Sequence, residues 1–135
     1  MRIRWFTLGA AASVALGASA CSDSTSPSVN LSGSYSLVSI QFPPQSALTP
    51  PTATGTFTLT ANAQTPNQGT YTLHLVIQGQ PPVDDNGTYS LNGSNWSQSS
   101  TTTGQASGTY SLSGSTLTVN ATNSGVTSIS VWQKQ

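Results

Sequence analysis

Apolar and polar residues alternate strictly in five short segments of the chain. Each segment has glycine, Ser or Thr, an aromatic residue, Ser or Thr, and then leucine. The five copies are Gly33–Leu37, Gly55–Leu59, Gly69–Leu73, Gly87–Leu91 and Gly108–Leu112. A period of two is typical of a β-strand with one buried face, because successive side chains point to opposite sides of a sheet. No segment after residue 21 has the apolar spacing of an amphipathic helix, so the pattern predicts an all-β protein.

The complete pattern predicts eight strands, at 32–42, 54–61, 69–78, 86–91, 94–101, 106–112, 115–122 and 126–133. In an up-and-down arrangement, odd and even connections lie at opposite ends of the sheet. The tightest turns then fall at one end, and the long proline-rich connections Pro43–Ala53 and Gly79–Asp85 fall at the other. One closed end and one open end favour a small antiparallel barrel. An immunoglobulin-like β-sandwich is the alternative, since short turns occur in both folds.

Two tight turns predict which residues lie opposite each other. Asn92-Gly93 is typical of a type I′ turn, and Ser113-Gly114 is a weaker version of it. The expected opposite pairs are Leu91 with Ser94, Tyr89 with Trp96, Leu112 with Ser115, Tyr110 with Leu117, and Gly108 with Val119. Each hairpin then has its large apolar side chains on a single face, as a core requires.

Composition restricts the functions that the chain can perform. Among 135 residues there are three Lys or Arg, three acidic residues and one histidine, whereas Ser, Thr, Asn and Gln together number 61. Such a chain has no basic surface for nucleic acid. It also has few carboxylates, imidazoles or thiols to form a catalytic cluster. We therefore expect a protein that is not an enzyme and that needs no metal or cofactor.

The few ionisable residues fit structural roles. His74 is in the outward register of its strand, and one histidine without a second ligand is a poor metal site. Asp84 and Asp85 form the only acidic cluster and fall in the third predicted connection, where aspartate commonly accepts hydrogen bonds from turn amides. Calcium needs six or more oxygen ligands, more than this pair and its neighbour Asn86 supply. Turn formation is therefore the predicted role of the two aspartates.

Six aromatic residues share the inward register of the predicted strands: Tyr35, Phe57, Tyr71, Tyr89, Trp96 and Tyr110. They either fill the core of a chain that is poor in leucine or line a cavity, in which hydroxyl and indole N–H groups need partners or a ligand. A cavity of about 300 Å³ or more would favour ligand binding. A packed interior would favour a structural or protein-interaction module.

The first connection is the longest and carries four prolines in two pairs, which bracket Gln45–Thr49. Within this tip Leu48 is the one large apolar residue, and we expect it to be exposed. A long loop inside a small domain is usually functional or disordered, although it can also be a simple connector. With the third connection it is predicted to form the rim of the open end. Gln45, Leu48, Asp84 and Asp85 are the predicted ligand or partner contacts on this rim.

Residues 1–20 have the layout of a secretory signal peptide. Met1–Arg4 holds both arginines, Trp5–Leu16 is apolar and uncharged, and Gly17–Ala20 consists of small residues before a cleavage site. The single cysteine, Cys21, follows immediately. A lone cysteine in an exported chain has no disulfide partner within it, so Cys21 is either modified or a free thiol.

The Ala20-Cys21 junction resembles the lipobox of bacterial lipoproteins, although Ala18 stands where that family prefers leucine. The resemblance implies that Cys21 is diacylated and anchors the mature protein in a membrane. Serine rather than aspartate at position 22 resembles the sorting context of outer-membrane lipoproteins in a bacterium with two membranes. Residues 21–30 are then the lipidated cysteine and a polar, disordered tether, and residues 31–135 form the single folded domain.

This domain resembles lipocalin-like bacterial lipoproteins. The resemblance rests on Gly33-x-Tyr35 at the start, eight alternating strands, a long first loop and an apolar last strand that ends in Lys134. True lipocalins carry tryptophan where Tyr35 stands. The resemblance implies an eight-stranded barrel that binds a small apolar or amphipathic ligand at its open end. The alternative is a structural or interaction module of the envelope with a solid core.

Overall fold

The computed structural model describes residues 28–135, which form a closed barrel of eight antiparallel strands in chain order. The strands are β1 Gly33–Gln41, β2 Ala53–Ala61, β3 Gln68–Ile77, β4 Val83–Asn92, β5 Asn95–Ser100, β6 Gly104–Ser113, β7 Thr116–Asn123 and β8 Val126–Lys134. Strand β8 pairs with β1 and closes the barrel. The predicted up-and-down barrel is confirmed, and the alternative of a sandwich is wrong. The predicted signal peptide and Cys21 lie outside the described residues.

The chain segment before β1 covers the closed end of the barrel. Leu31 is fully buried, and its carbonyl accepts a hydrogen bond of 2.8 Å from the Tyr35 hydroxyl. The Val29 amide donates to Asn67 Oδ1 at 3.0 Å, and the Val29 side chain packs against the core. Val29, inside the segment predicted as a tether, is therefore already in contact with the folded domain. Within residues 28–135 there is no helix long and apolar enough to cross a bilayer.

The two tight hairpins pair two residues away from the predicted register. The observed opposite pairs are Leu91–Trp96, Tyr89–Gln98, Leu112–Leu117, Tyr110–Val119 and Gly108–Ala121. The turns are Gly93-Ser94 and Gly114-Ser115, and both glycines have a φ of 60°. Glycine at the first central position favours a type II′ turn instead of type I′. A shift of two residues keeps each side chain on its face, so the predicted faces were right and the predicted partners were wrong.

The glycine of the repeated segment lies where neighbouring strands approach closely. A Cβ atom on Gly87 would lie 1.9 Å from the Ser99 carbonyl oxygen, and one on Gly108 would lie 1.8 Å from the Asn120 carbonyl oxygen. No side chain fits at such distances. Tyr71 lies directly opposite Gly87, where an aromatic ring can cover the backbone that a glycine leaves bare. At these two positions the repeat therefore requires glycine, because only glycine allows the neighbouring backbone to approach so closely.

Candidate ligand-binding cavity

A cavity of about 540 Å³ occupies the interior at the open end of the barrel. Its walls are mostly apolar side chains from Ile40, Phe42, Phe57, Leu73, Leu75, Val119, Ala121 and Trp132. Polar groups that reach it include those of Tyr71, Asp85, Gln98, Ser128 and Ser130. Small-molecule sites are typically concave, mostly apolar and about 300–1,000 Å³ in volume. The interior is therefore hollow at this end, and its shape and lining are those of a small-molecule site.

The closed half of the interior is packed solid by aromatic rings. Trp96 is fully buried and stacks on Tyr89 with ring centres 5.3 Å apart and an interplanar angle of 2°. It also contacts the ring of Tyr110 at 6.3 Å. Tyr89 and Trp96 are diagonal neighbours on one face instead of the opposite pair that was predicted. The Lys134 ammonium lies 5.9 Å from the centre of the Tyr35 ring at this end.

The six aromatic residues predicted to line a cavity divide between these two halves. Phe57 and Tyr71 line the cavity. The other four, Tyr35, Tyr89, Trp96 and Tyr110, belong to or pack against the hydrophobic core and do not line it. Alternation along a strand identifies the face on which a side chain lies but not its height along the barrel axis. Sequence reasoning therefore could not separate the two groups.

Phe57 and Trp132 form the boundary between the cavity and the packed half. The Phe57 ring lies 5.1 Å from Trp132, 5.9 Å from Tyr71 and 6.2 Å from Trp96. The Trp132 indole N–H donates to Ser130 Oγ at 2.8 Å. Sequence reasoning missed Trp132 because Ile129 and Val131 on the same strand are also apolar. Without a clear alternation in β8, nothing identified its inward face.

Asp85 is inside the barrel and not in a turn. Strand β4 begins at Val83 and pairs Asp85 with Leu73, so the predicted role in a turn is wrong: ladder pairing with β3 extends the strand through both aspartates. The Asp85 side chain is 8% exposed. Its carboxylate accepts hydrogen bonds from Tyr71 Oη at 2.9 Å, from Thr102 Oγ1 at 3.1 Å and from Ser100 Oγ.

The environment of Tyr71 keeps its phenol protonated. Burial raises the pKa of Tyr71, and the hydrogen bond to Asp85 and the negative charge of Asp85 raise it further, to about 12. The phenol is therefore a permanent hydrogen-bond donor to the carboxylate at neutral pH. Gln98, whose side-chain amide accepts from the Trp96 indole N–H at 2.8 Å, also lines the cavity.

Asp84 points in the opposite direction, onto the outer surface. Its carboxylate lies 2.5 Å from Nδ1 of His74, and the two side chains are 76% and 54% exposed. The predicted surface position of His74 is confirmed. A contact between side chains with this exposure contributes little to stability because water screens it. Residues 28–135 contain no group of three or more His, Cys, Asp or Glu side chains that could hold a metal ion.

The predicted rim residues of the first connection occupy different environments. Gln45 is exposed, and its carbonyl accepts from the side-chain amide of Gln41 at 2.9 Å. Leu48 is half-buried and packs against the core, so the expectation of an exposed apolar tip is wrong. The cause is a short bridge to β1, in which the Leu48 and Ile40 backbones exchange hydrogen bonds of 2.7 and 2.9 Å.

A second concave region lies on the outer surface across β2 to β6. It encloses about 740 Å³, and short outward side chains such as Thr70, Thr88, Ser97 and Ser107 form much of its lining. Although this groove is larger than the interior cavity, its lining residues are mainly Ser, Thr, Asn and Gln, and none of them is charged. Because ligand pockets are mostly apolar with a few converging polar groups, we regard the interior cavity as the candidate site.

No protein-family model matches the chain, and no curated protein matches its sequence. Among solved structures, the chain is similar to a de novo designed fluorescence-activating β-barrel, with a TM-score of 0.56 and 15% sequence identity. The likeness covers 77% of this chain and 93% of the designed one. At this identity the comparison shows the fold alone. The fold and the site together define an eight-stranded up-and-down β-barrel with one packed end and one hollow end.

Proposed function

We propose that the protein is a non-enzymatic lipoprotein of the bacterial envelope that binds a small apolar or amphipathic molecule in the cavity at its open end. The observation that carries this proposal is the cavity of about 540 Å³ behind mostly apolar walls. Protein interiors are normally filled to crystal-like density, as the closed half of this barrel is. An open half that serves stability alone has no need of such a void, whereas a binding site requires one.

The chemistry of the cavity supports binding without catalysis. Asp85 is the acidic group on its wall, and its hydrogen-bond partners are the hydroxyls of Tyr71, Ser100 and Thr102. His74 lies on the outer surface beside Asp84, so Asp85 has no imidazole partner. The alternative of a structural module with a solid core accounts for the closed half but not for the void above Phe57.

Binding is tested with N-phenyl-1-naphthylamine, a neutral dye that fluoresces in apolar surroundings. The full chain carries Cys21→Ser so that no detergent is present to compete. We expect saturable binding, and we expect Ala121→Phe to abolish it because the new ring fills the cavity. Asn120→Phe is the matched control, since position 120 is outward and exposed and should leave binding intact. Equal binding by the two variants would contradict a site in the cavity.

Envelope anchoring is a separate proposal, supported by the position of Cys21 directly after a signal-like segment. Replacing Cys21 with serine should move the protein from the membrane fraction to the soluble periplasmic or medium fraction. Ser22→Ala, which leaves the cysteine in place, serves as the control. Membrane association that is the same with and without Cys21 would exclude a lipid anchor at this position. Mass spectrometry of the natively purified protein would detect both the lipid and any small molecule that co-purifies.

A further inference from the structure

The cavity contains one charged side chain whose charge is not balanced. Among the lining residues, all within the described part of the chain, Asp85 alone carries a charge. Lys134 is the single Lys or Arg of residues 28–135, and its ammonium lies over the Tyr35 ring at the closed end. A buried carboxylate is costly unless it is paired. Within residues 28–135 the one salt-bridge contact joins His74 to Asp84, so no Lys, Arg or His side chain pairs with Asp85.

The hydrogen bonds of Asp85 occupy three acceptor positions of its carboxylate but do not neutralise the carboxylate charge. Its Oδ1 accepts from Ser100 and Thr102, and its Oδ2 accepts from Tyr71. A carboxylate has about four acceptor positions, so Oδ2 keeps one that is unused by these groups. All three donors are neutral hydroxyls. They hold the carboxylate in place on the cavity wall, leave one acceptor position unused and bring no positive charge to it.

The apolar walls lie close to this charge. Tyr71, which donates to Asp85, has its ring 5.9 Å from the Phe57 ring, and Phe57 lies 5.1 Å from Trp132. A molecule that fills the cavity therefore meets a carboxylate on one side and aromatic rings below. Aromatic faces also attract cations, so both features favour the same sign of charge on the ligand.

We propose, building on the proposed function, that the cavity takes a cationic amphiphile, with an organic ammonium group that pairs with Asp85 and an apolar body that lies against Phe57, Leu75 and Trp132. The ammonium donates to the unused acceptor position of Oδ2 and balances the carboxylate charge. An anionic amphiphile with the same body is repelled by that carboxylate. A neutral alcohol can fill the apolar volume but leaves the charge unpaired.

The test compares three straight-chain compounds of twelve carbons with different head groups. Dodecylammonium, 1-dodecanol and dodecanoate, each below its micelle concentration or solubility limit, compete at neutral pH with bound N-phenyl-1-naphthylamine on the full chain carrying Cys21→Ser. We expect dodecylammonium to bind at least about tenfold more tightly than dodecanol, because a charge-assisted hydrogen bond is stronger than a neutral one. Dodecanoate should bind most weakly.

Substitutions at two neighbouring aspartates show which carboxylate causes the preference for dodecylammonium. Asp85→Asn preserves shape and removes the charge, so the preference for dodecylammonium should disappear. Asp84→Asn is the matched control, because it removes the same charge from the exposed outer face and should leave the preference unchanged. The ranking of the three compounds on the unsubstituted cavity decides the proposal even if Asp85→Asn does not fold.

The outcomes separate this proposal from the proposed function. If the dye binds and the three compounds compete equally, the site is a general apolar one and the cationic inference is wrong. If the preference survives in Asp85→Asn, the charge that causes it lies elsewhere and the inference is again wrong. If neither the dye nor any of the three twelve-carbon compounds binds, ligand binding itself fails, and the inference fails with it.

Discussion

The two halves of this barrel share the same strands and the same alternation, yet one is solid and the other is hollow. In the closed half the inward positions of β5 and β6 carry Trp96 and Tyr110. Towards the open end, inward positions carry small buried residues such as Ala106, Ala121 and Ser130. Neighbouring strands are antiparallel all around the barrel, but β1 pairs with β2 only over Gly33–Ser36, and its pairing with β8 shifts between Leu37 and Ser39. The small inward side chains towards the open end leave room for the cavity.

The halves also differ in what closes them. Leu31 and the segment that begins at Val29 seal the packed end, where the Asn67 side chain accepts from the Val29 amide. The hollow end is bordered by the first connection, which is attached to β1 through the Ile40–Leu48 bridge. Ligand access is therefore expected from this end alone.

The largest expected difference between the halves concerns truncation of a large side chain. Trp96→Ala should lower the free energy of unfolding by about 3–5 kcal/mol, because it opens a void in a packed aromatic cluster. Leu73→Ala should cost clearly less, since Leu73 is half-buried and already borders a void. Urea-induced unfolding measures both values. Equal losses would show that the two halves are packed alike.

A smaller effect on stability is expected at Gly108, where the backbone of β7 comes very close. Gly108→Ala should lower the free energy of unfolding by about 1–3 kcal/mol, because the added Cβ meets the carbonyl oxygen of Asn120 and forces a backbone shift. The neighbouring outward substitution Ser107→Ala should change stability little, since Ser107 is exposed. If the two variants unfold at the same urea concentration, the close approach at Gly108 has no structural importance.

Two tyrosines of the closed half offer a finer comparison. Tyr35→Phe should lower the free energy of unfolding by about 0.5–1.5 kcal/mol, because the Leu31 carbonyl loses its hydrogen bond. Tyr89→Phe should be neutral or stabilising, since the buried Tyr89 hydroxyl has no hydrogen-bond partner within the described residues. Thermal unfolding of the two variants, side by side, measures the difference. A larger loss of stability for Tyr89→Phe than for Tyr35→Phe would show that the Tyr89 hydroxyl makes the more important hydrogen bond, contrary to this prediction.

The smallest expected effect on stability comes from ionisation of the buried tyrosines at alkaline pH. Burial raises the pKa of Tyr35, Tyr71, Tyr89 and Tyr110 above the usual 10.0. The native state therefore holds phenolic protons that the unfolded chain has released. This contribution to stability is complete below pH 10.0 and is lost as the pH rises towards about 12, the pKa of Tyr71.

Phenolate absorbance of the native protein follows these ionisations directly. Asp85→Asn should lower the pKa of Tyr71, because Asp85 contributes to that shift, while the ionisation of Tyr35 should stay where burial alone places it. Ionisation of every tyrosine together near pH 10.0 would show that the interior is open to water in both halves.

Strict alternation was enough to predict the number, order and approximate bounds of the strands, because it reports which face of a strand is buried. The register of the tight hairpins was not predictable, because glycine can occupy either central position of a two-residue turn. In the first of these hairpins Gly93 occupies the first position. The residues that line the cavity were not predictable for a related reason. Alternation indicates that Ala121 and Tyr110 both point inward, but not that they lie at different heights along the barrel axis.

The inward position of Asp85 could not be predicted from the residues around it in the sequence. Two aspartates after Pro81-Pro82 have the composition of a turn. Only pairing with β3 shows that the strand already includes them and that Asp85 points inward while Asp84 points outward. Trp132 was missed because apolar residues occupy both faces of β8, so its inward position depends on the closure of β8 onto β1.

Trp132 and Trp96 report on the two halves, and they test most directly the proposal that a ligand binds in the hollow half while the closed half stays solid. Nuclear magnetic resonance can follow their indole N–H signals, assigned with Trp132→Phe and Trp96→Phe, while N-phenyl-1-naphthylamine is added to the full chain carrying Cys21→Ser. The account predicts a saturable shift of the Trp132 signal, whose side chain lines the cavity, and a much smaller shift of the Trp96 signal. A shift confined to Trp96, or no saturable shift at Trp132, would contradict it.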